Sequence, residues 1–140
     1  MKVKDLPIFD EFIRVHGETT VTEAAKRMVD DGVMDVIVVD AENRILGVVT
    51  LFTILEKVLA QGLDPSKVRC QEIVSANFAT ITKDSDVSQG ITKYMAIQLS
   101  EGSDIPGLVV VEGKKLIGLL SVGDMLAAVA PRKQYKFSMV

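Results

Sequence analysis

The sequence predicts an α/β (α+β) fold in which two pseudo-symmetric repeats pack sheet to sheet. Segments in the first half of the 140-residue chain align with segments in the second half, and such internal similarity is the signature of a repeated architecture. Each half shows the same succession of patterns: strand, helix, strand, strand, helix. Hydrophobic residues make up 48% of the chain but aromatic residues only 5%, so the core must consist mainly of aliphatic side chains.

The two repeats are recognised from matching segments. Residues 13–16 align with 79–82, residues 36–39 with 107–110, and residues 46–50 with 117–121. A short insertion around residues 99–105 lengthens the second repeat. One repeat alone is too small to cover both faces of its sheet, so the two sheets are expected to cover each other. The predicted division of the chain is a first repeat at 1–62, a linker at 63–67, a second repeat at 68–130 and a basic C-terminal tail at 131–140.

The first repeat begins with a short strand and a helix. Residues 13–15 alternate in polarity, as an edge strand does. Thr20 is placed to cap the following helix, and Gly32 to end it. The helix itself is predicted from apolar residues at three- and four-residue spacing, namely Val21, Ala24, Ala25, Met28 and Val29.

Two strands and a second helix complete that repeat. Residues 36–39 form a continuous β-branched run, which is typical of a strand buried on both faces. Residues 45–49 form the next strand after a polar turn. The apolar pattern of residues 51–61 predicts a helix, with Gly62 just past its end.

The second repeat shows the same order. Its first helix is indicated by Val87, Ile91 and Met95, which lie four residues apart. Residues 108–111 and 116–120 are the predicted strands. The last helix covers Val122–Val129, before Pro131.

The bulk properties exclude several classes of protein. The net charge of −3 and the absence of a long basic run argue against a nucleic-acid or membrane-surface partner. Cys70 is the only cysteine, so no internal disulfide forms and a reducing compartment fits. The first residues lack a signal-peptide pattern, and no run approaches the roughly 20 apolar residues of a membrane helix. We therefore expect a cytoplasmic protein.

Catalytic and metal-binding patterns are missing from the sequence. There is no P-loop, no nucleophile paired with a base and no cluster with metal-ligand spacing. His16 is the only histidine. We therefore expect neither an enzyme nor a metal site.

The junctions between the last strand and last helix of each repeat resemble those of a known family. They read Gly47-Val48-Val49-Thr50-Leu51-Phe52-Thr53 and Gly118-Leu119-Leu120-Ser121-Val122-Gly123-Asp124. In CBS (cystathionine-β-synthase) domains this junction is often Gly, two apolar residues, Thr or Ser, two further residues and Asp. Over about residues 3–130 the chain thus resembles a tandem CBS pair, or Bateman module, and is expected to be a stand-alone CBS domain-containing protein.

The resemblance implies a regulatory role. Such pairs commonly bind AMP, ADP or ATP in clefts between the repeats, and S-adenosylmethionine is a further candidate; no cofactor is required. The pairs often form homodimers through their helices and act on a separate regulated protein. The alternative is a structural or protein-interaction module with empty clefts.

The resemblance also implies which residues form the two clefts. In the family the Asp binds the ribose hydroxyls, and the Thr or Ser lies near ribose and phosphate, where a helix start favours an anion. Thr53 replaces that Asp in the first repeat, which predicts a weaker or empty cleft there. The better cleft is predicted to consist of Asp124, Ser121, Gly123, Arg14, Val15, His16 and Val36. The weaker cleft is predicted to consist of Thr50, Thr53, Thr80, Ile105 and Pro106.

Each of these residues also has a simpler interpretation. Ser121 and Asp124 have the spacing of a capping box, and Thr50 that of a plain N-cap. Arg14 fits a solvated position on an edge strand as well as a phosphate contact. His16 fits a turn residue.

Overall fold

The computed structural model of the chain describes residues 1–101 and 105–129. It confirms the α/β fold with two strand–helix–strand–strand–helix repeats. The elements of the first repeat are β1 (Ile13–His16), α1 (Val21–Asp31), β2 (Asp35–Val39), β3 (Ile45–Thr50) and α2 (Leu51–Ile54), which continues as a π-helix (Leu55–Leu59). A 3-10 turn (Val3–Asp5) precedes them.

The second repeat has the same elements in the same order. A short helix α3 (Cys70–Ile73) leads into it, and the repeat itself consists of β4 (Thr80–Thr82), α4 (Val87–Glu101), β5 (Leu108–Glu112), β6 (Lys115–Leu120) and α5 (Val122–Val129). The predicted basic tail at 131–140 lies outside the described residues. No helix in the described part of the chain has the length and hydrophobicity of a membrane span.

Each repeat forms a three-stranded mixed sheet. In the first, β2 is central, parallel to β1 and antiparallel to β3; in the second, β5 is central, parallel to β4 and antiparallel to β6. The strand registers show that the alignment of residues 36–39 with residues 107–110 is wrong by one residue. Val36 lies opposite Val49 and Leu108 opposite Leu120, so Val36 is equivalent to Leu108 and not to Gly107. The alignment was wrong because the chain from Val36 to its partner Val49 is one residue longer than the chain from Leu108 to its partner Leu120.

The two sheets pack face to face, and this contact is one of three apolar clusters. It contains Ile37, Val39, Val48, Val109, Val111, Leu116 and Leu119. The neighbouring residues Val36 and Val38 point to the opposite side of the sheet and pack with the helices of the first repeat. The β-branched run of β2 is therefore buried on both faces, as predicted.

The helix ends agree with the sequence in most respects. The Glu23 backbone N–H donates to the Thr20 hydroxyl over 3.2 Å, which caps α1. Gly32 ends α1 with φ +67°, in the left-handed region where glycine is favoured. The helix predicted over residues 51–61 is present, but from Leu55 onwards it is a π-helix.

The segment before β1 packs on the second repeat and not on the first. The Leu119 backbone N–H donates to the Ile8 carbonyl over 2.8 Å, and the Val3 N–H donates to the Ser85 carbonyl over 2.9 Å. The side chains of Val3 and Ile8 are buried in the core of the second repeat. The chain therefore crosses from one repeat to the other before β1 begins.

The segment before β4 makes the reciprocal crossing. Ser75 and Val48 exchange two backbone hydrogen bonds of 2.9 and 3.0 Å, and the Cys70 N–H donates to the Thr19 carbonyl over 2.8 Å. The Cys70 side chain is fully buried in the core of the first repeat, and burial raises the pKa of its thiol to about 11. Each repeat is thus completed by the segment that leads into the other.

The first glycine of each junction permits these crossings. A Cβ at Gly118 would lie 2.4 Å from the Ile8 carbonyl oxygen, and a Cβ at Gly47 would lie 2.7 Å from the Ser75 carbonyl oxygen. Because the obstructing atoms belong to the backbone, no side-chain rotation relieves the clash. Both glycines are required by packing between the repeats.

We predict that Gly118→Ala lowers the free energy of unfolding by about 2 kcal/mol, because the new methyl group displaces the segment around Ile8. Urea denaturation measures the change. Gly123→Ala is the matched control, since a Cβ there meets no atom closer than 3.6 Å; alanine in this helix should leave stability unchanged or raise it by roughly 0.5–1 kcal/mol. Equal effects of the two substitutions would contradict the packing argument.

Candidate functional site: a cavity between the two junctions

A cavity of about 580 Å³ lies where the two strand-to-helix junctions face each other. The first strand position of β2, Asp35, pairs with the last of β3, Thr50, so the start of one strand and the end of the next meet at this edge. The second repeat brings Gly107 and Ser121 to the equivalent place. The lining residues are Glu11, Met34, Asp35, Thr50, Leu51, Phe52, Leu55, Ile105, Pro106, Gly107, Ser121, Val122 and Gly123.

The junction of the first repeat is closed by a pair of threonines. The Thr53 N–H donates to the Thr50 hydroxyl over 3.1 Å, and the Thr50 N–H donates to the Thr53 hydroxyl over 3.1 Å. The two hydroxyl oxygens are 3.0 Å apart, within hydrogen-bond distance. This is the capping-box arrangement, and it orients Thr50 at the cavity wall.

The junction of the second repeat has the same arrangement with a carboxylate. The Asp124 N–H donates to the Ser121 hydroxyl over 3.0 Å, and the Ser121 N–H donates to a carboxylate oxygen of Asp124 over 3.3 Å. Among the residues that the structure describes, the buried polar side chains are these four: Thr50, Thr53, Ser121 and Asp124. The capping interpretation of both motifs is therefore present in the structure.

Asp124 lies in acidic surroundings. Burial raises the pKa of its carboxyl above the ordinary value, the Ser121 hydrogen bonds oppose this, and the charges of Glu11 and Asp10 add to the increase. The carboxylates of Asp10, Glu11 and Asp124 each offer an oxygen within 4.8 Å of the others. Asp10 and Glu11 reach this place because their segment packs on the second repeat.

The structure brings together residues from both predicted clefts. Thr50, Ile105 and Pro106, which were assigned to the weaker cleft, line the same cavity as Ser121 and Gly123, which were assigned to the better one. Thr53 and Asp124 lie behind their capping partners and are not lining residues.

Other predicted residues lie elsewhere. Arg14 and His16 line a separate cavity of about 240 Å³ near the turn after β2, and Arg14 donates to the Asn43 side-chain oxygen over 2.8 Å. The side chains of Val15 and Val36 are buried in the core of the first repeat.

Thr80 also lies apart from the junction cavity. It lines a third cavity of about 410 Å³, and its carbonyl accepts a hydrogen bond from the Lys93 amine. The parallel register explains these positions, because β1 and β4 lead away from the edge where the junctions meet.

Sequence reasoning missed several lining residues. Glu11 precedes β1 in the chain, and no sequence pattern indicated that its segment crosses to the second repeat. Gly107 was missed because the one-residue alignment error matched it with Val36 and not with Asp35. Leu51, Phe52 and Leu55 belong to a helix whose apolar side chains were assigned to packing and dimerisation.

The raised pKa of Asp124 predicts how the stability of the fold depends on pH. A carboxyl with a raised pKa in the folded state stabilises the fold most when protonated, and this contribution is lost as pH rises through that pKa. Relative to the parent, Asp124→Asn should therefore gain stability between about pH 4 and about pH 7. Urea denaturation at several pH values tests this.

Asp64→Asn provides a control of opposite sign. Hydrogen bonds from Ser66 lower the pKa of Asp64, so the stability that its carboxylate contributes is present above about pH 4 and is lost as pH falls below that value. Asp64→Asn should therefore be less stable than the parent above about pH 4, with a difference that stays constant up to about pH 7 and shrinks at lower pH. If Asp124→Asn and Asp64→Asn changed the free energy of unfolding in the same direction, the opposite pKa shifts of the two carboxyls would be contradicted.

Comparison with known proteins identifies the repeats. The model of the CBS domain family matches residues 3–60 and 70–131. An uncharacterized protein of Methanopyrus kandleri is 29% identical over 108 residues, covering 76% of this chain and 52% of that protein. The chain spans between 52% and 65% of the lengths of the curated relatives that it matches.

Solved structures share the fold over nearly the whole chain. A CBS domain pair in complex with 5′-methylthioadenosine and S-adenosyl-L-methionine has a TM-score of 0.74 at 25% identity, covering 91% of this chain and 94% of that one. A hexameric CBS-CP12 protein from bloom-forming cyanobacteria has a TM-score of 0.71 at 25% identity, covering 90% and 69%. With both repeats matched, the chain belongs to the CBS domain family and contains a tandem pair of its domains.

Proposed function

We propose that the module senses an adenosine-containing compound that binds in the cavity between the two junctions. The resemblance implied AMP, ADP or ATP, with S-adenosylmethionine as a further candidate, and all of these share the adenosyl group. The observation that carries the proposal is that the junction motifs of both repeats, 71 positions apart in the chain, line one cavity.

The cavity has the chemistry that an adenosyl group requires. Its volume of about 580 Å³ suits a small molecule. The walls on both sides are largely apolar and offer a surface for the purine ring: Met34, Leu51, Phe52, Leu55, Ile105, Pro106 and Val122. The hydroxyl-bearing residues Thr50 and Ser121 lie at the helix starts, where they can hydrogen-bond a ribose.

A structural relative supports the adenosyl assignment. The CBS domain pair that shares 25% of its sequence with this chain was solved with two adenosyl compounds bound. The two compounds differ in charge and in the group attached to the 5′ carbon. The shared adenosyl group is therefore the part of the ligand that we transfer to this cavity.

Ligand binding would change the relation between the repeats. Because each wall of the cavity comes from a different repeat, a ligand that contacts both walls favours one relative position of the repeats. The shift is limited by the difference in affinity between the two positions. The helices that start at the cavity, α2 and α5, would carry the change to the surface.

Calorimetric titration with adenosine, AMP, ADP, ATP and S-adenosylmethionine tests the proposal. We expect the parent to bind at least one of them. Val122→Trp, which fills the cavity, should weaken that binding at least about tenfold. Ala127→Trp, at an exposed position on the same helix away from the cavity, should bind like the parent. Absence of binding to every compound would refute the proposed function.

We also propose that the module acts as a homodimer that contacts itself through its helices. Large apolar side chains are exposed on these elements: Val29, Leu51, Phe52, Leu55, Leu59, Met95, Leu99, Leu126 and Val129. Exposed apolar side chains that form a contiguous patch commonly mark a protein–protein contact. The solved hexamer of a family member supports self-association.

Sedimentation of a substituted chain tests the dimer. Leu126→Glu places a charge on an exposed helix position and should weaken dimerisation at least about tenfold. Leu46→Glu is the matched control, because Leu46 is also exposed but belongs to β3. If the parent sediments as a monomer, or if both substitutions act equally, the helices are not the interface.

The alternative function, an interaction module with an empty cavity, is favoured by the same apolar helices. It predicts that Leu126→Glu disrupts an assembly while none of the adenosine compounds binds. The two experiments together therefore separate the sensor from the purely structural module.

A further inference from the structure

The Glu11 carboxylate lies beside the first turn of α5. A Cβ at Gly123 would lie 3.6 Å from one carboxylate oxygen of Glu11, 3.8 Å from the other and 3.7 Å from the Ser121 hydroxyl oxygen. The start of a helix attracts an anion through its free N–H groups and its dipole. Here the anion is the carboxylate of Glu11, and it lies where the family resemblance implies a phosphate of the ligand.

Further carboxylates surround this position. Asp10 and Asp124 each bring a carboxylate oxygen to within 4.8 Å of the oxygen of Glu11. Among the described residues that line the cavity there is no lysine, arginine or histidine. Arg14, for which a phosphate contact is one interpretation of the sequence, lines a different cavity together with His16. A phosphate at the start of α5 would therefore meet like charges at short range.

We propose that Glu11 is a specificity residue, and that it selects an adenosyl compound with a positively charged 5′ substituent over one with phosphates. The proposal rests on the adenosyl-binding function proposed above and adds the charge of the ligand. A sulfonium or ammonium group next to the adenosyl group would face the carboxylate of Glu11. The exposed ring of Phe52, which lines the same cavity, offers a second favourable surface for a cation.

Two probes that differ by one methyl group and one positive charge test the proposal. S-adenosylmethionine carries the sulfonium charge, and S-adenosylhomocysteine lacks it. Calorimetry on the parent should show that S-adenosylmethionine binds about tenfold more tightly than S-adenosylhomocysteine, and that ATP, with or without Mg²⁺, binds more weakly than both. Adenosine, which is uncharged, reports on the adenosyl site alone.

Glu11→Gln and Glu18→Gln form a matched pair of variants. Both remove one negative charge from an exposed glutamate, but Glu18 lies beyond the far end of β1, near Arg69. Glu11→Gln should reduce the preference for S-adenosylmethionine over S-adenosylhomocysteine to less than about threefold, whereas Glu18→Gln should preserve it. Adenosine affinity should be the same in all three proteins.

The outcomes separate this inference from the proposed function. If ATP binds more tightly than S-adenosylmethionine, or if the two variants behave alike, charge selection by Glu11 is wrong while the adenosyl site remains. If adenosine and all the charged compounds fail to bind the parent, the proposed function itself is wrong and the inference is refuted with it.

Discussion

The reciprocal crossing of the two lead-in segments holds the structure together. The segment before β1 pairs with β6 through Ile8 and Leu119, and the segment before β4 pairs with β3 through Ser75 and Val48. Both pairings bring two backbones so close that the strand position must be glycine. Neither repeat therefore completes its own core, because each core contains side chains from the segment that leads into the other repeat.

This crossing also determines where the functional site lies. With the two sheets packed face to face, the junctions after β3 and β6 meet at one edge, and a cavity opens between them. The same crossing brings Asp10 and Glu11 to the start of α5 in the opposite repeat. The carboxylates of Asp10 and Glu11 are thus beside α5 because of the chain path, whereas Asp35 belongs to the first repeat itself.

The two junctions show how a duplicated scaffold acquires different chemistry. Each buries a reciprocal pair of hydrogen bonds, Thr50 with Thr53 and Ser121 with Asp124. The geometry is conserved between the pairs because both satisfy the same free N–H groups at a helix start. Only the second pair carries a charge, and it lies beside two more carboxylates. A ligand between the junctions consequently meets an acidic residue on each wall, Asp35 beside Thr50 and Glu11 beside Ser121.

The sequence by itself determined the fold class, the repeat order and both junction motifs, because these depend on local patterns: hydrophobic period, turn residues and capping residues. The resemblance to the CBS family also implied that Ser121, Thr50, Ile105 and Pro106 belong near a site. Only the tertiary structure decided that they line a single cavity, that Arg14 and His16 lie elsewhere, and that Glu11 reaches the start of α5. These facts depend on strand register and on the crossing of the lead-in segments, which are long-range contacts between parts of the chain whose local patterns are independent of each other.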